Sequence, residues 1–96
     1  MAELTLISES PTGFRALIES ALAHESGFIE IGIRQTEQRI QVFERRYAMK
    51  TADFLSRYEQ DGLEETLDFA EWIGEFRLLE RLREKMRTLR GIHFAN

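Results

Sequence analysis

Residues 22–47 have the sequence LAHESGFIEIGIRQTEQRIQVFERRY, and this stretch decides the fold. Its apolar and small side chains recur in alternating steps of four and three residues, which places them along one side of an α-helix. The pattern predicts a long helix that packs against another helix along this side. We call this side the inner stripe: Leu22, Ser26, Ile29, Ile33, Thr36, Ile40, Phe43 and Tyr47.

The helix that carries the inner stripe is expected to span residues 11–47. Ser10 and Pro11 favour a helix start, because serine can accept a bond from a free amide and proline loses nothing at the first helical position. Any kink is expected at 26–27, where serine precedes glycine. Before this helix, residues 1–10 alternate weakly in hydropathy and are predicted as a tail or a short strand.

Two further helices are predicted after residue 47. The first is short and spans about 52–60, with Thr51 as its N-cap and Gly62 closing it. The second is long and spans about 64–90, with Gly91 in a left-handed cap. Its apolar side chains again step by three and four and predict the stripe that faces the first helix: Phe69, Trp72, Ile73, Phe76, Leu79, Leu82, Met86 and Leu89.

The distribution of charge predicts that the two long helices run antiparallel. The net charge is −4 over residues 1–32, +2 over 33–60, −6 over 61–76 and +4 over 77–96. Each long helix therefore starts acidic and ends basic, as the helix dipole favours. An antiparallel hairpin brings the basic end of the first helix beside the acidic start of the last, whereas a parallel pair would bring like charges together.

Composition predicts a single all-α domain over residues 1–96: a long, coiled-coil-like antiparallel hairpin with a short corner helix. The chain has no cysteine, one proline and a net charge of −4, which removes disulfides and thiolate metal sites and argues against a general nucleic-acid binder. No stretch has the ~20 apolar residues of a membrane span, and the amino terminus has no signal-peptide pattern. A cytoplasmic protein without cofactors is expected.

A second set of apolar residues lies on a different side of the first helix, also in steps of three and four. One hairpin can cover only one of the two sides, so the other is expected to bind a partner. The prediction is a homodimer that forms a four-helix bundle, or a complex with another protein. The residues assigned to this interface are Phe14, Leu17, Ala21, His24, Phe28 and Ile31, with Leu67, Ala70, Gly74 and Leu78 on the last helix. Gly74 is expected to allow close approach of another backbone.

Catalytic and metal-binding patterns are missing from the sequence. The residues three positions before His24 and His93 are Ala21 and Arg90, so the Glu-x-x-His pairs of di-metal bundles do not occur. No nucleophile motif or glycine-rich phosphate loop is present. A non-enzymatic protein without a metal is predicted. The basic cluster at the end of the last helix keeps nucleic-acid binding as an alternative, through Arg83, Arg87 and Arg90.

Residues 40–82 resemble a group of short helical, antitoxin-like proteins of bacteria and archaea that are encoded beside small putative toxins. The matching positions are Tyr47, Met49, Thr51, Phe54, Tyr58, Glu59, Gly62, Asp68, Phe69, Glu71 and Trp72. Ala48 stands where the group has glycine, which predicts a less sharp turn after the first helix. The resemblance implies a protein that covers the functional surface of a toxin-like partner.

The sequence therefore predicts a non-catalytic protein-binding module, antitoxin-like by resemblance. Two alternatives remain open: a homodimeric scaffold whose faces serve only self-association, and a nucleic-acid-binding regulator that uses the carboxy-terminal arginines.

Overall fold

A computed structural model describes residues 11–93, which form three helices and no strand. They are α1 (Pro11–Tyr47), α2 (Thr51–Glu59) and α3 (Leu67–Arg90). α1 and α3 pack against each other as a hairpin, and α2 forms the corner that joins them. α1 passes through Ser26 and Gly27 without a break. The tail or strand predicted for residues 1–10 lies outside the described residues.

The inner stripe of α1 is the side that faces α3. Its members Ile29, Thr36, Ile40 and Phe43 are buried, and the other four are half-buried. On α3 the buried side chains all belong to the predicted stripe: Phe69, Trp72, Ile73, Leu79 and Met86. The apolar periodicity of 22–47 therefore correctly predicted which side of α1 meets the last helix.

Three ion pairs between α1 and α3 show that the helices run antiparallel. Arg46 contacts Asp68 at 2.8 Å, Arg39 contacts Glu75 at 2.7 Å, and Glu37 contacts Arg83 at 3.1 Å. As residue numbers fall along α1, those of its partners on α3 rise. The first two pairs join the basic end of α1 to the acidic start of α3, as the charge distribution predicted. Because these pairs are exposed, they favour orientation more than stability.

Aromatic side chains fill the closed end of the hairpin around Trp72, which is fully buried. The Phe54 ring stacks on the indole at a centroid distance of 3.9 Å, and Phe43 lies near-parallel to the indole at 5.8 Å. Phe54 comes from α2, so this stack fixes the corner helix to the hairpin. Tyr47 and Phe69 pack against the same cluster.

The turns at the ends of the helices differ from the prediction in four places. Thr51 is the first residue of α2 rather than its N-cap, which is Lys50. α2 is closed by Asp61, whose φ is 55°, and not by Gly62. α3 starts at Leu67, where Thr66 accepts a hydrogen bond from the Phe69 amide. Gly91 is right-handed, with φ −84°, so the left-handed cap predicted there is wrong.

The turn after α1 is as tight as one with glycine, although the residue in its left-handed position is Ala48. Ala48 has φ 50°, in the left-handed region. The Met49 amide donates to the Glu44 carbonyl at 3.0 Å and the Ala48 amide to the Arg45 carbonyl at 3.4 Å, which is the Schellman pattern. The expectation of a less sharp turn is therefore wrong: alanine adopts the left-handed conformation here, between Tyr47 and Met49, which both pack against the aromatic core.

α1 extends beyond α3 at the open end of the hairpin. α1 has 37 residues and α3 has 24, a difference of 13. Because the closed ends are aligned by the Arg46–Asp68 pair, the excess lies at the start of α1. We call residues 13–24 the overhang. It contributes to the elongated shape of the chain, whose extents are 58 × 22 × 17 Å.

Candidate protein-binding surface

The second apolar set of α1 lies on the surface. Phe28 is 71% exposed, Leu17 68% and Ile31 49%. Ala21 and His24, which lie between them, are also exposed, while Phe14 is half-buried. At 100° per residue, this set lies roughly 120° around the helix from the inner stripe. We call it the outer stripe: Leu17, Ala21, His24, Phe28 and Ile31.

Three exposed residues that were not assigned from the sequence extend the outer stripe. Gln35, Gln38 and Val42 continue the same steps of four and three, and all three are exposed. Val42 is a large apolar residue, 43% exposed. Between Gly13 and Gln38, no acidic residue, lysine or arginine falls within about 60° of the centre of the stripe. The result is an uncharged face over this range, on a helix that is otherwise rich in charge, and Arg39 borders the stripe beside Val42.

The residues assigned on α3 form a separate row on its outer side. Leu67 is 75% exposed, Ala70 and Gly74 are exposed, and Leu78 is half-buried. A Cβ atom built at Gly74 would have no neighbour within 4 Å. The close approach expected at Gly74 therefore does not occur within the chain. Gly32 of α1 does have a close neighbour, but it is a side chain: a Cβ atom built there would lie 3.3 Å from a methyl group of Leu82.

Gly74 lies beside the far end of the extended outer stripe. A shallow groove of about 430 Å³ joins the two helices there. Its lining residues are Arg39, Val42, Phe43, Glu71, Gly74 and Glu75. No α2 residue contributes to it, whereas Leu55 and Tyr58 of α2 line a groove with Ile73 and Phe76. The corner helix thus covers one side of the hairpin and leaves open the side that carries the outer stripe.

The three arginines assigned to nucleic-acid contact lie together at the open end of the hairpin. Arg83, Arg87 and Arg90 line a groove of about 560 Å³. Arg34 of α1, which the sequence analysis did not assign, lines the same groove beside Glu30, Ile33 and Met86. Arg83 is paired with Glu37 and Arg87 with Glu84, so part of this positive charge is already compensated.

A hydrogen-bonded cluster of three polar side chains joins the end of α1 to the start of α3. The Tyr47 hydroxyl donates a hydrogen bond to Asp68, and the Arg46 guanidinium donates another at 2.8 Å. These two bonds lower the pKa of Asp68, and the Tyr47 bond is the larger cause. The bond to Asp68, aided by burial, raises the pKa of Tyr47. Each group keeps its usual charge at neutral pH, so the cluster ties the helices together.

A second polar group lies inside the aromatic core. The Thr51 hydroxyl accepts a hydrogen bond from Trp72 Nε1 at 3.0 Å and donates one to Glu44 Oε2 at 2.9 Å. The Thr51 amide donates to the same carboxylate at 2.8 Å. No buried side-chain polar atom of this group lacks a hydrogen-bond partner, which is the pattern of a structural network.

Within residues 11–93 no cluster of histidine and carboxylate side chains has a metal-binding arrangement. No helix among these described residues is long and apolar enough to cross a membrane. No protein-family model, curated protein or solved structure matches the chain. The similarity to antitoxin-like proteins therefore stays a prediction, and function is argued from the exposed surfaces.

Proposed function

We propose that this chain is a non-catalytic protein-binding module whose docking surface is the outer stripe of α1. The observation that carries the proposal is the exposure of Phe28 and Leu17, 71% and 68%, in one heptad row. Single exposed apolar residues are normal, but several large ones in one row mark an interaction site. Burying each large side chain of the stripe would contribute on the order of 1.5–3 kcal/mol to binding.

The antitoxin-like role belongs to this proposal as its more specific form. It is supported by the resemblance over residues 40–82 and by the groove at Gly74, where the neighbouring side chains Glu71 and Glu75 are acidic. Glu71 is exposed, whereas Glu75 is paired with Arg39. The exposed carboxylate beside a position without a side chain would suit a basic helix of a toxin-like partner. Cytoplasmic location is the compartment that this role expects.

Site-specific photo-crosslinking in cells tests the docking surface. A photoreactive amino acid at position 31 is expected to crosslink to a protein chain, because Ile31 lies in the outer stripe. The same residue at position 23 is the control, since Ala23 is exposed on α1 but lies about 120° from the stripe. Equal yields at the two positions, or no product from position 31, would count against the proposal.

A second candidate function is binding of nucleic acid at the arginine groove. The observation in its favour is that Arg34 joins Arg83, Arg87 and Arg90 around one groove. Binding would weaken steeply with salt and would be lost in a variant with Arg83→Gln, Arg87→Gln and Arg90→Gln. Arg81→Gln is the matched control, because Arg81 is exposed on α3 and lies outside the groove. Salt-independent binding, or equal loss in the control, would reject this function.

A further inference from the structure

We infer that the outer stripe binds a second copy of this chain, with the two α1 helices packed antiparallel in one defined register. In this register Leu17 packs against the partner's Val42, Ala21 against the partner's Gln38, His24 against the partner's Gln35, and Phe28 against the partner's Ile31. The inference rests on the proposed function and names the occupant of the docking surface.

The spacing of the stripe is symmetric about its centre, as a two-fold interface requires. Its positions are 17, 21, 24, 28, 31, 35, 38 and 42, and all of them are exposed. Reversing this series gives the same steps of four and three. Each position of one copy therefore meets a position of the stripe in the other, because a two-fold axis between residues 29 and 30 exchanges them.

The side chains favour this register over its neighbours. Leu17 with Val42 and Phe28 with Ile31 are apolar pairs, while His24 with Gln35 is a polar pair that can form hydrogen bonds. Moving the two-fold axis by half a heptad toward the amino terminus places Phe28 against His24 and Ile31 against Ala21. Moving it by the same amount in the other direction places Phe28 against Gln38 and Ile31 against Gln35. Each shifted register therefore sets Phe28 against a polar side chain. Among these three registers only the proposed one sets every large apolar side chain of the stripe against another, and the small Ala21 alone meets a polar residue, Gln38.

Charge favours the antiparallel direction. Residues 13–32 have a net charge of −2 and residues 33–47 of +2. Antiparallel packing lays the acidic half of each α1 along the basic half of the other, whereas a parallel pair would align like charges. The uncharged centre of the stripe lets the two helices meet without burying a fixed charge.

The length of the helices gives an independent reason for the same arrangement. The overhang of α1 extends beyond α3, so its apolar residues lie beside no part of α3 in the same chain. Antiparallel packing places Leu17 and Ala21 beside residues 38–42 of the partner, at the closed half of its hairpin. The contact then runs from Leu17 to Val42 over roughly 38 Å, and each overhang is covered by the other chain.

Disulfide trapping tests both direction and register, because the chain has no cysteine of its own. Ala21 and Gln38 are exposed, so a variant with Ala21→Cys and Gln38→Cys should keep its fold. It is expected to form a disulfide-linked dimer on mild oxidation that reductant reverses. The two positions are roughly 25 Å apart along one helix, too far for a bond within one chain.

Ala21→Cys alone is the control for direction. In the antiparallel register the two copies of position 21 are roughly 25 Å apart and cannot be linked, whereas a parallel dimer would link them readily. A linked dimer from Ala21→Cys alone would overturn the inference, and so would a failure of the double variant to form one.

Sedimentation equilibrium tests the interface without cysteines. The natural chain is expected to be dimeric, and Phe28→Glu to raise the dissociation constant at least roughly 100-fold with unchanged helicity, because the carboxylate would be buried. Ala23→Glu adds the same charge to an exposed position outside the stripe and should remain dimeric. A natural chain that is monomeric at all concentrations overturns the inference.

The failure of this inference and that of the proposed function can be told apart. If the natural chain is monomeric while position 31 crosslinks to a different protein, the second copy is the wrong occupant and the docking surface stands. If position 31 crosslinks to nothing and the chain is monomeric, both proposals fall.

Discussion

At the scale of single residues, Trp72 and Thr51 show why the closed end of the hairpin has one arrangement. The indole ring is stacked on Phe54 and fully buried, and its N–H group needs an acceptor inside the core. Thr51 is that acceptor, and its position is fixed in turn by Glu44. The pair therefore joins α2 to α3 by a directional bond as well as by packing.

Replacing Thr51 by valine should destabilise the chain by about 1–3 kcal/mol, because the buried Trp72 N–H would lose its acceptor. Urea unfolding followed by tryptophan fluorescence measures the change. Thr51→Ser keeps the hydroxyl and loses one methyl group, so its cost should be smaller, about 1 kcal/mol. A valine variant as stable as the natural chain would show that the hydrogen bond contributes nothing.

Ala48 is a second residue whose conformation has an energetic cost. Its φ of 50° is unfavourable for a residue with a Cβ atom. Ala48→Gly should therefore raise the free energy of unfolding by about 0.5–1 kcal/mol, measured by denaturant titration. Ala70→Gly, at an exposed position inside α3, should lower it by a similar amount. If both variants are destabilised alike, the backbone at Ala48 carries no strain.

At the scale of helices, the hairpin is held at its closed end by a link between the last turn of α1 and the first turn of α3. Asp68 accepts bonds from Tyr47 and Arg46. These bonds lower the pKa of Asp68 in the folded chain and raise that of Tyr47. The contribution of Asp68 to the free energy of unfolding is present above about pH 4 and is lost as pH falls through the lowered pKa. That of Tyr47 is present below about pH 10 and is lost at higher pH.

Tyr47→Phe should raise the pKa of Asp68 toward its ordinary range, because the hydrogen bond from Tyr47 is the largest cause of its lowering. The acid-induced loss of stability that Asp68 causes should then be smaller and should be complete at a higher pH than in the natural chain, because its onset is set by the unfolded-state pKa. Carboxyl-carbon NMR titration measures the pKa directly. Tyr58→Phe removes a hydroxyl that contacts Glu65 instead and should leave Asp68 unchanged. An unaltered Asp68 titration in Tyr47→Phe would contradict the assignment.

The glycines of the two long helices differ in what surrounds them. Gly74→Ala should stabilise the isolated chain by about 0.5–1 kcal/mol, because open space surrounds the added methyl group. Gly32→Ala should stabilise the chain less than Gly74→Ala does, or should destabilise it, since its methyl group would meet Leu82 at 3.3 Å. Thermal unfolding of the two variants makes the comparison. Equal gains would show that Leu82 moves aside freely.

At the scale of the whole molecule, the two ends of the hairpin differ in packing. The closed end holds the aromatic core and the corner helix, whereas at the open end the overhang of α1 projects past α3. Local stability follows local packing. The chain should therefore be most stable near Trp72 and least stable in the overhang.

Hydrogen exchange followed by mass spectrometry should detect this gradient. At a concentration where the Phe28→Glu variant is monomeric, amides of the overhang are expected to exchange much faster than those of residues 69–76, because no other helix packs on them. If the natural chain dimerises through the outer stripe, its overhang should be protected. Equal protection of both regions in the variant would contradict the gradient.

The sequence by itself determined the helices and the inner side of the hairpin, because both follow from local periodicity and charge. The steps from Leu22 to Tyr47 define an apolar side whatever packs on it, and the acidic start at Asp68 and the basic end at Arg46 favour an antiparallel pair. Even so, local rules misplaced Thr51, Gly62 and Gly91, since a cap depends on what the rest of the fold leaves free.

Only the tertiary structure decided what surrounds the two apolar sides of α1. Inner and outer stripes have the same periodicity, so periodicity alone does not say which residues of the other helices lie beside each of them. Contact with α3 buries Ile29 and Phe43, and the position of α2 leaves Phe28 and Val42 on the open side. The groove between Val42 and Gly74 and the convergence of Arg34 with Arg87 arise in the same way. They depend on the register of two helices distant in sequence, which is fixed by the packing around Trp72.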